Sequence, residues 1–208
     1  MKGIRYLSVV ILTCFAASGF SQTLHMVLEP DSDPAGLYLA TFDSIDYFES
    51  GIASSAGFIN NKIGVGYSLK GFTFDGKYRM LLEPDSDPAG LYLATFDTID
   101  DFKSGVASSA GFINNQIGTG YSVGGFTFDG QYRMLLEPDS DPAGLYLATF
   151  DTIGDFESGI ASSAGFINNQ IGSGYSVGGF ANQPVPEPGT ILALSLGGLA
   201  LLRRQKRA

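Results

Sequence analysis

The chain is predicted to be all-β, with three tandem repeats of about 54 residues forming a propeller-blade-like array. Three observations predict it. Met26, Met80 and Met134 open near-identical units at equal steps of 54 residues, and a fixed step of that size marks a repeat architecture. Each unit alternates short apolar runs with clusters of Asp, Pro and Gly, the punctuation of strands and turns. No window sustains a 3.6-residue period, and glycine is abundant at 28 of 208 residues.

From the N-terminus, Lys2 and Arg5 precede an apolar core from Tyr6 to Ala17, and the small residues of Ala17-Ser18-Gly19-Phe20-Ser21 offer cleavage sites. This is the pattern of a secretory signal peptide over 1–21, an N-terminal signal helix cut after Ser21 or, as the alternative, after Gly19. Cys14 is the one cysteine, and Thr13 before it makes a poor lipobox, so it reads as apolar filler in the signal core. Once the leader is gone no thiol remains. Disulfides, thiolate metal sites and a cysteine nucleophile are thereby excluded from the exported chain.

The repeat region runs over 22–182, in units 26–79, 80–133 and 134–180. An opening strand is expected over Thr23 to Glu29. In the second unit Tyr78 to Glu83 and Leu91 to Phe96 are apolar runs joined by Pro84-Asp85-Ser86-Asp87-Pro88-Ala89-Gly90, a hairpin signature. Asp97 to Gly105 then has the chemistry of a loop or single helical turn, with Asp97 or Thr98 as N-cap. A third strand is expected around Phe112 to Ile117 and a fourth from Tyr121 to Phe128, after which Asp129-Gly130 makes a tight turn into the next unit. The third unit stops at Phe180, without the Asp-Gly-Xaa-Tyr-Arg that ends the others. Four strands per unit suit a propeller blade. Three blades fall short of the ~4 to 8 of a closed propeller, so the ring is partial, closes through a second chain, or closes through Thr23 to Glu29; a β-sandwich is the alternative.

Charge narrows the partners. The net charge of −9 includes two cations of the leader and four of the tail; between Gln22 and Pro186 twenty acids face six bases, a balance of −14. So acidic a surface repels phosphate backbones and excludes nucleic acid.

Within the repeats the sharpest chemical candidate is the acidic loop Glu29-Pro30-Asp31-Ser32-Asp33-Pro34-Ala35-Gly36 and its two copies. Asp31, Asp33, Asp85, Asp87, Asp139 and Asp141 offer the carboxylate oxygens that calcium prefers. The loop departs from an EF-hand at Ala35 and at Phe42, where a bidentate Glu belongs, and its Asp, Pro and Gly equally set a hairpin turn. No cofactor is called for beyond this calcium candidate. Catalysis is not expected: His25 is the only histidine and lies outside the repeat core, and paired carboxylates in repeated turns lack a pocket to separate their pKa values. Tyr67, Tyr121 and Tyr175 recur beside glycine and offer rings for stacking on a saccharide, or simply fill the core. Exopolysaccharide is the candidate ligand.

The tail, 183–208, has three parts. Pro186 and Pro188 flank Glu187 and force a stiff, extended approach. An apolar stretch follows, with a short helix expected over 190–202, and Arg203, Arg204, Lys206 and Arg207 close it. The uncharged run from Gly189 to Leu202 covers 14 positions, short of the ~17 to 25 of a permanent span. Its basic end stays cytoplasmic by the positive-inside rule.

This tail resembles the PEP-CTERM sorting signal of Gram-negative bacteria: Pro186, Glu187 and Pro188 match its recognition motif, Thr190 to Leu202 its helix, and Arg203 and Arg204 with Lys206 and Arg207 its basic stop. The helix is short for that family and holds Gly197-Gly198. The resemblance implies that exosortase, an integral-membrane cysteine transpeptidase, cuts near the Pro-Glu-Pro motif after export through the Sec translocon. The expected protein is therefore a membrane-associated precursor, released or transferred to the cell surface or extracellular matrix. Its repeats would be structural or adhesive; binding of exopolysaccharide or calcium, and permanent anchoring by the C-terminal helix, are the alternatives.

Overall fold

Twelve strands in three four-stranded sheets build the described chain, all neighbours running antiparallel. The computed structural model describes residues 9–13, 23–30, 36–86, 90–139 and 144–167. Sheet one holds β1 (Val9–Thr13), β2 (Leu24–Leu28), β3 (Gly36–Phe42) and β4 (Ser55–Lys62), with α1 (Ile45–Glu49) between the last two. Sheet two holds β5 (Tyr67–Phe74), β6 (Tyr78–Pro84), β7 (Tyr92–Phe96) and β8 (Ser109–Phe112), with α2 (Ile99–Ser104). Sheet three repeats this with β9 (Tyr121–Phe128), β10 (Tyr132–Pro138), β11 (Leu145–Phe150), α3 (Ile153–Ser158) and β12 (Ser163–Ile167). Each sheet is a meander in chain order, as expected of a blade.

Sheets and sequence units are out of phase. The strand that ends one unit opens the sheet of the next, because the Asp75-Gly76-Lys77 turn ties β5 to β6. Gly76 there takes φ 104°, Asp75 N–H donates to the Lys77 carbonyl at 3.1 Å, and Lys77 N–H donates to Asp75 Oδ1 at 3.0 Å. The four residues from Ile63 to Gly66, by contrast, carry the chain from β4 into the next sheet.

The core lies between sheets, in two layers. Val27, Leu37, Leu39, Phe72, Met80, Leu82, Phe96 and Phe102 fill the first, and Leu81, Leu91, Leu93, Phe126, Met134, Leu136 and Phe156 the second. Met80 and Leu82 thus face one neighbour while Leu81 faces the other. That is why Met80-Leu81-Leu82 reads as a continuous apolar run: a strand covered on both faces has no polar side to alternate with.

First strands make the sheet-to-sheet contact, β1 against β5 and β5 against β9. A Cβ on Gly71 would stand 2.5 Å from the Phe126 Cβ and 3.1 Å from the Phe126 nitrogen, so only glycine permits this approach. The pairing slips by one residue beside this point, between Leu69 and Gly71 in β5 and between Val123 and Gly125 in β9. Next to each slip a backbone N–H donates to a glutamate of the preceding sheet: Leu69 to Glu29 Oε2 at 3.0 Å and Val123 to Glu83 Oε2 at 3.3 Å. The step is 40 residues in both cases.

Three expectations shift. The apolar run expected to be a signal helix has its described residues, Val9–Thr13, in β1, paired from Val9 opposite Leu28 to Thr13 opposite Leu24; four of these five residues are β-branched and favour an extended backbone. The third strand of the second unit runs over Ser109–Phe112 instead of Phe112 to Ile117, because its pairing with β7 begins at Ser109 and Asn115 N–H instead reaches the Glu157 carbonyl of α3 at 2.9 Å. Of the loop or single helical turn expected over Asp97 to Gly105, the structure forms the helix α2, Ile99–Ser104: Thr98, not Asp97, is its N-cap, Asp101 completes a capping box, and Gly105 at φ 74° ends it. The C-terminal helix expected over 190–202 lies outside the described residues, as does the end of the third unit. Among the described residues no helix is long and apolar enough to cross a membrane.

Candidate ligand-binding pockets and the sorting motif

Two equivalent pockets open where one unit's β4 or β8 corner meets the following helix. The first, 290 Å³, lies between Asn61, Tyr67, Tyr92, Phe96 and Gly105; the second, 330 Å³, lies between Asn115, Tyr121, Tyr146, Phe150 and Gly159. Each has the liquid volume of roughly ten waters, at the small end for ligand sites. Local sequence explains the shape. Gly105 and Gly159 end their helices in the left-handed region, and a Cβ on either would sit 3.3 Å from the Cα of Asn61 or Asn115, so the helix ends press directly on the asparagines.

Asn61 and Asn115 are 6% and 5% exposed, and the Nδ2 of each has no hydrogen-bond partner among the described residues. A buried amide donor left unsatisfied costs about 1–3 kcal/mol. These amides line pockets walled by rings, aliphatic side chains and one further polar residue each, Lys62 or Gln116, so each site presents one uncompensated donor beside aromatic rings.

Aromatic pairs continue from the pockets to the sheet edges. Tyr67 meets Tyr92 edge-on at 5.7 Å, and Tyr92 meets Phe112 at 5.4 Å. In sheet three Tyr121 meets Tyr146 at 5.9 Å and Tyr146 meets Phe166 at 5.4 Å; in sheet one Tyr38 meets Phe58 at 5.4 Å. The outer partners stay uncovered: Phe58, Phe112 and Phe166, on the edge strands β4, β8 and β12, are 68%, 62% and 64% exposed.

The acidic loops are described in part. Asp85 N–H donates to the Gly66 carbonyl at 2.7 Å while its Oδ1 accepts from Ser68 Oγ at 3.2 Å, and Asp139 N–H donates to the Gly120 carbonyl at 2.8 Å. These aspartates thus tie each β-hairpin loop to the turn that enters its own sheet. Asp31, Asp33, Asp87 and Asp141 lie outside the described residues, and among the described residues no three His, Cys, Asp or Glu side chains gather as a metal site. His25 is buried in β2, where its Nδ1 lies 3.1 Å from Thr41 Oγ1 and its ring meets Tyr78 edge-on at 6.0 Å. Burial, then the charge of Lys103, holds its imidazole below the ordinary value.

Sequence reasoning singled out Tyr67 and Tyr121, which the structure brings to the pockets, and missed the asparagines. Their signal was a polar pair, Asn60-Asn61 and Asn114-Asn115, recurring at the end of an apolar stretch. It also missed the sheet-bridging Glu29 and Glu83, each a lone carboxylate closing an apolar strand.

The described fold defines an all-β repeat protein of stacked meander sheets. Its C-terminal residues 184–207 match the PEP-CTERM protein-sorting motif, so the chain carries the sorting signal that its tail resembles, which supports an exported, exosortase-processed protein. Pro186, Glu187, Pro188, Arg203 and Arg204 fall within this match and outside the described residues. No curated protein and no solved structure matches the chain.

Proposed function

We propose that this is a surface or matrix protein, exported through the Sec translocon, trimmed near Ser21 and near Pro186-Glu187-Pro188, whose repeats serve as a structural and adhesive element. The observation that carries this reading is the display of Phe58, Phe112 and Phe166 on three successive edge strands, well exposed and outside both core layers. Aromatic side chains left uncovered at regular steps suit contact with another surface better than internal packing. Mass spectrometry of the protein from its native cell tests the sorting half: both termini are expected to be shortened, and an intact C-terminus in the membrane fraction would favour permanent anchoring instead. Replacing all three phenylalanines with serine tests the other half. Cell adhesion is expected to fall with the fold unchanged, and unaltered adhesion would refute the role.

A second reading, binding of an exopolysaccharide unit, is favoured by the orphaned amides of Asn61 and Asn115 beside Tyr67–Tyr92 and Tyr121–Tyr146. A saccharide supplies hydroxyl acceptors for the amide and a C–H face for the rings. Calorimetry with polysaccharide from the producing cell is expected to give heat that disappears in an Asn61→Leu, Asn115→Leu variant; absence of heat in the parent rejects the reading. The same titration with calcium tests the acidic loops.

A further inference from the structure

Sheets two and three open with closely similar strand sequences, Tyr67-Ser68-Leu69-Lys70-Gly71-Phe72 and Tyr121-Ser122-Val123-Gly124-Gly125-Phe126, which differ at two positions. Sheet one does not: its opening position is held by Val9–Thr13 from the apolar leader. The backbone site is nevertheless the same. Val9 to Thr13 lie opposite Leu28 to Leu24 just as Leu69 to Phe74 lie opposite Leu82 to Tyr78, and residues 24–28 stand one 54-residue step before 78–82.

A third copy of the opening strand exists further along the sequence, as Tyr175-Ser176-Val177-Gly178-Gly179-Phe180. It leads into Ala181 and the Pro-Glu-Pro motif, not into an Asp-Gly turn and a leucine-rich strand. Opening strands begin at 67 and 121, and the third copy of their sequence begins at 175, outside the described residues; the second strands of the three sheets begin at 24, 78 and 132. The two series are displaced by one sheet. Removing 1–21, as the reading above holds, takes β1 away and uncovers the edge of β2, an invitation to another strand.

Position in the row decides whose strand enters. Glu29 of sheet one binds Leu69 of sheet two, and Glu83 of sheet two binds Val123 of sheet three. The same 40-residue step from Glu137, in sheet three at the far end of the row from β2, falls on Val177, within the third copy of the opening-strand sequence. Gly179 is the sequence counterpart of Gly71, which admits the close approach of a neighbouring strand.

We propose that Tyr175–Phe180 of one processed copy adds antiparallel to Leu24–Leu28 of a second copy, taking the place of Val9–Thr13, so that copies join head to tail. Such strand addition gains affinity from main-chain hydrogen bonds, and a heterologous contact that does not close on itself extends into a fibre. The leader fills the acceptor edge until it is cut, so assembly waits for export. The register places Val177 opposite Leu28, as Leu69 lies opposite Leu82.

The test mixes two single variants of the processed protein, Val177→Cys and Leu28→Cys, in a chain that has no other cysteine once the leader is removed. Oxidation is expected to give a mixed disulfide dimer at twice the chain mass, and the parent is expected to run as multiples of that mass in light scattering. A Val177→Pro variant, which lacks the strand N–H, is expected to fall to the single-chain mass with the unfolding of sheets two and three unchanged. A processed chain beginning after residue 21 that runs as a monomer, with the double variant cross-linking only within itself, overturns the proposal and shows ring closure instead. Mass spectrometry separates this from failure of the processing reading: a native chain that keeps residues 1–21 overturns that reading and, with it, the open edge.

Discussion

Sheets one and two are written in nearly the same sequence over their last three strands, yet differ in how they are held. In sheet two the three-residue turn after β5 buries Asp75, whose carboxylate accepts from Arg79 Nε at 2.9 Å and from the Tyr132 hydroxyl of the next sheet, while Arg79 Nη1 donates to Thr95 at 2.8 Å. In sheet one the positions matching Asp75 and Arg79 are Ser21 and His25, the first strand is Val9–Thr13, and among the described residues the bond to threonine is kept, as His25 to Thr41. The helices differ in the same direction. Thr98 and Asp101 form a capping box, whereas Tyr47 stands at the Asp101 position of α1, leaving Ser44 to cap alone. The Asp75–Tyr132 link is thus carried by the turn after the first strand, while sheet one is tied to sheet two through Glu29 and the backbone of Leu69.

The largest test of this difference is in the core. Phe102 is fully buried against Phe72 at 4.4 Å and Phe96 at 5.3 Å, so Phe102→Ala is expected to cost about 3–5 kcal/mol. Its counterpart Phe48 is half-buried against Phe42 alone among the rings, and Phe48→Ala is expected to cost about 1.5–3 kcal/mol. Urea denaturation of the two variants measures both, and equal losses would erase the distinction between the sheets.

Next comes the carboxylate link. Glu83 is buried and also meets Lys70 Nζ at 3.1 Å, so Glu83→Ala strands a backbone donor and an ammonium and is expected to cost about 1–3 kcal/mol. Glu29 is only half-buried, water replaces part of what it supplies, and Glu29→Ala is expected to cost less in the same assay.

Capping gives a smaller effect. Thr98→Ala is expected to lose about 1 kcal/mol, and Tyr47→Asp, which restores the box in α1, to gain about 0.5–1 kcal/mol. A destabilised Tyr47→Asp variant would mean that the half-exposed Tyr47 ring contributes more than the cap.

The smallest effect is in pH dependence. The fold holds the His25 pKa below its ordinary 6.5, so the neutral ring is favoured. Stability from this source is fully present above pH 6.5 and is lost as pH falls below it toward the folded-state value. A His25→Gln variant is expected to flatten the melting temperature across that window, and an unchanged slope would assign it to other groups.

Much of this was legible because its causes are local. The 54-residue step, the hairpin at Pro84 to Gly90, the Thr98 cap and the strand over Tyr121–Phe128 follow from turn chemistry and apolar runs within a few residues. The pockets were half legible: Tyr67 and Tyr121 stood out beside glycine, but the pairing of Asn61 with Gly105 joins one unit to the next and leaves no local trace. Likewise the unit boundaries drawn at methionine are out of phase with the sheets, since a repeat can be cut anywhere and only strand pairing chooses the frame.

By itself the sequence determined an acidic, all-β repeat chain bearing a PEP-CTERM sorting tail, because periodicity, turn residues and a terminal motif are properties of contiguous residues. Only the tertiary structure decided that Glu29 and Glu83 bridge sheets 40 residues on, that Asn61 and Asn115 are buried with an amide unpaired among the described residues, and that Val9–Thr13 hold the first strand of sheet one. Those facts depend on which strand edges meet, and edges far apart in sequence meet only when the sheets stack.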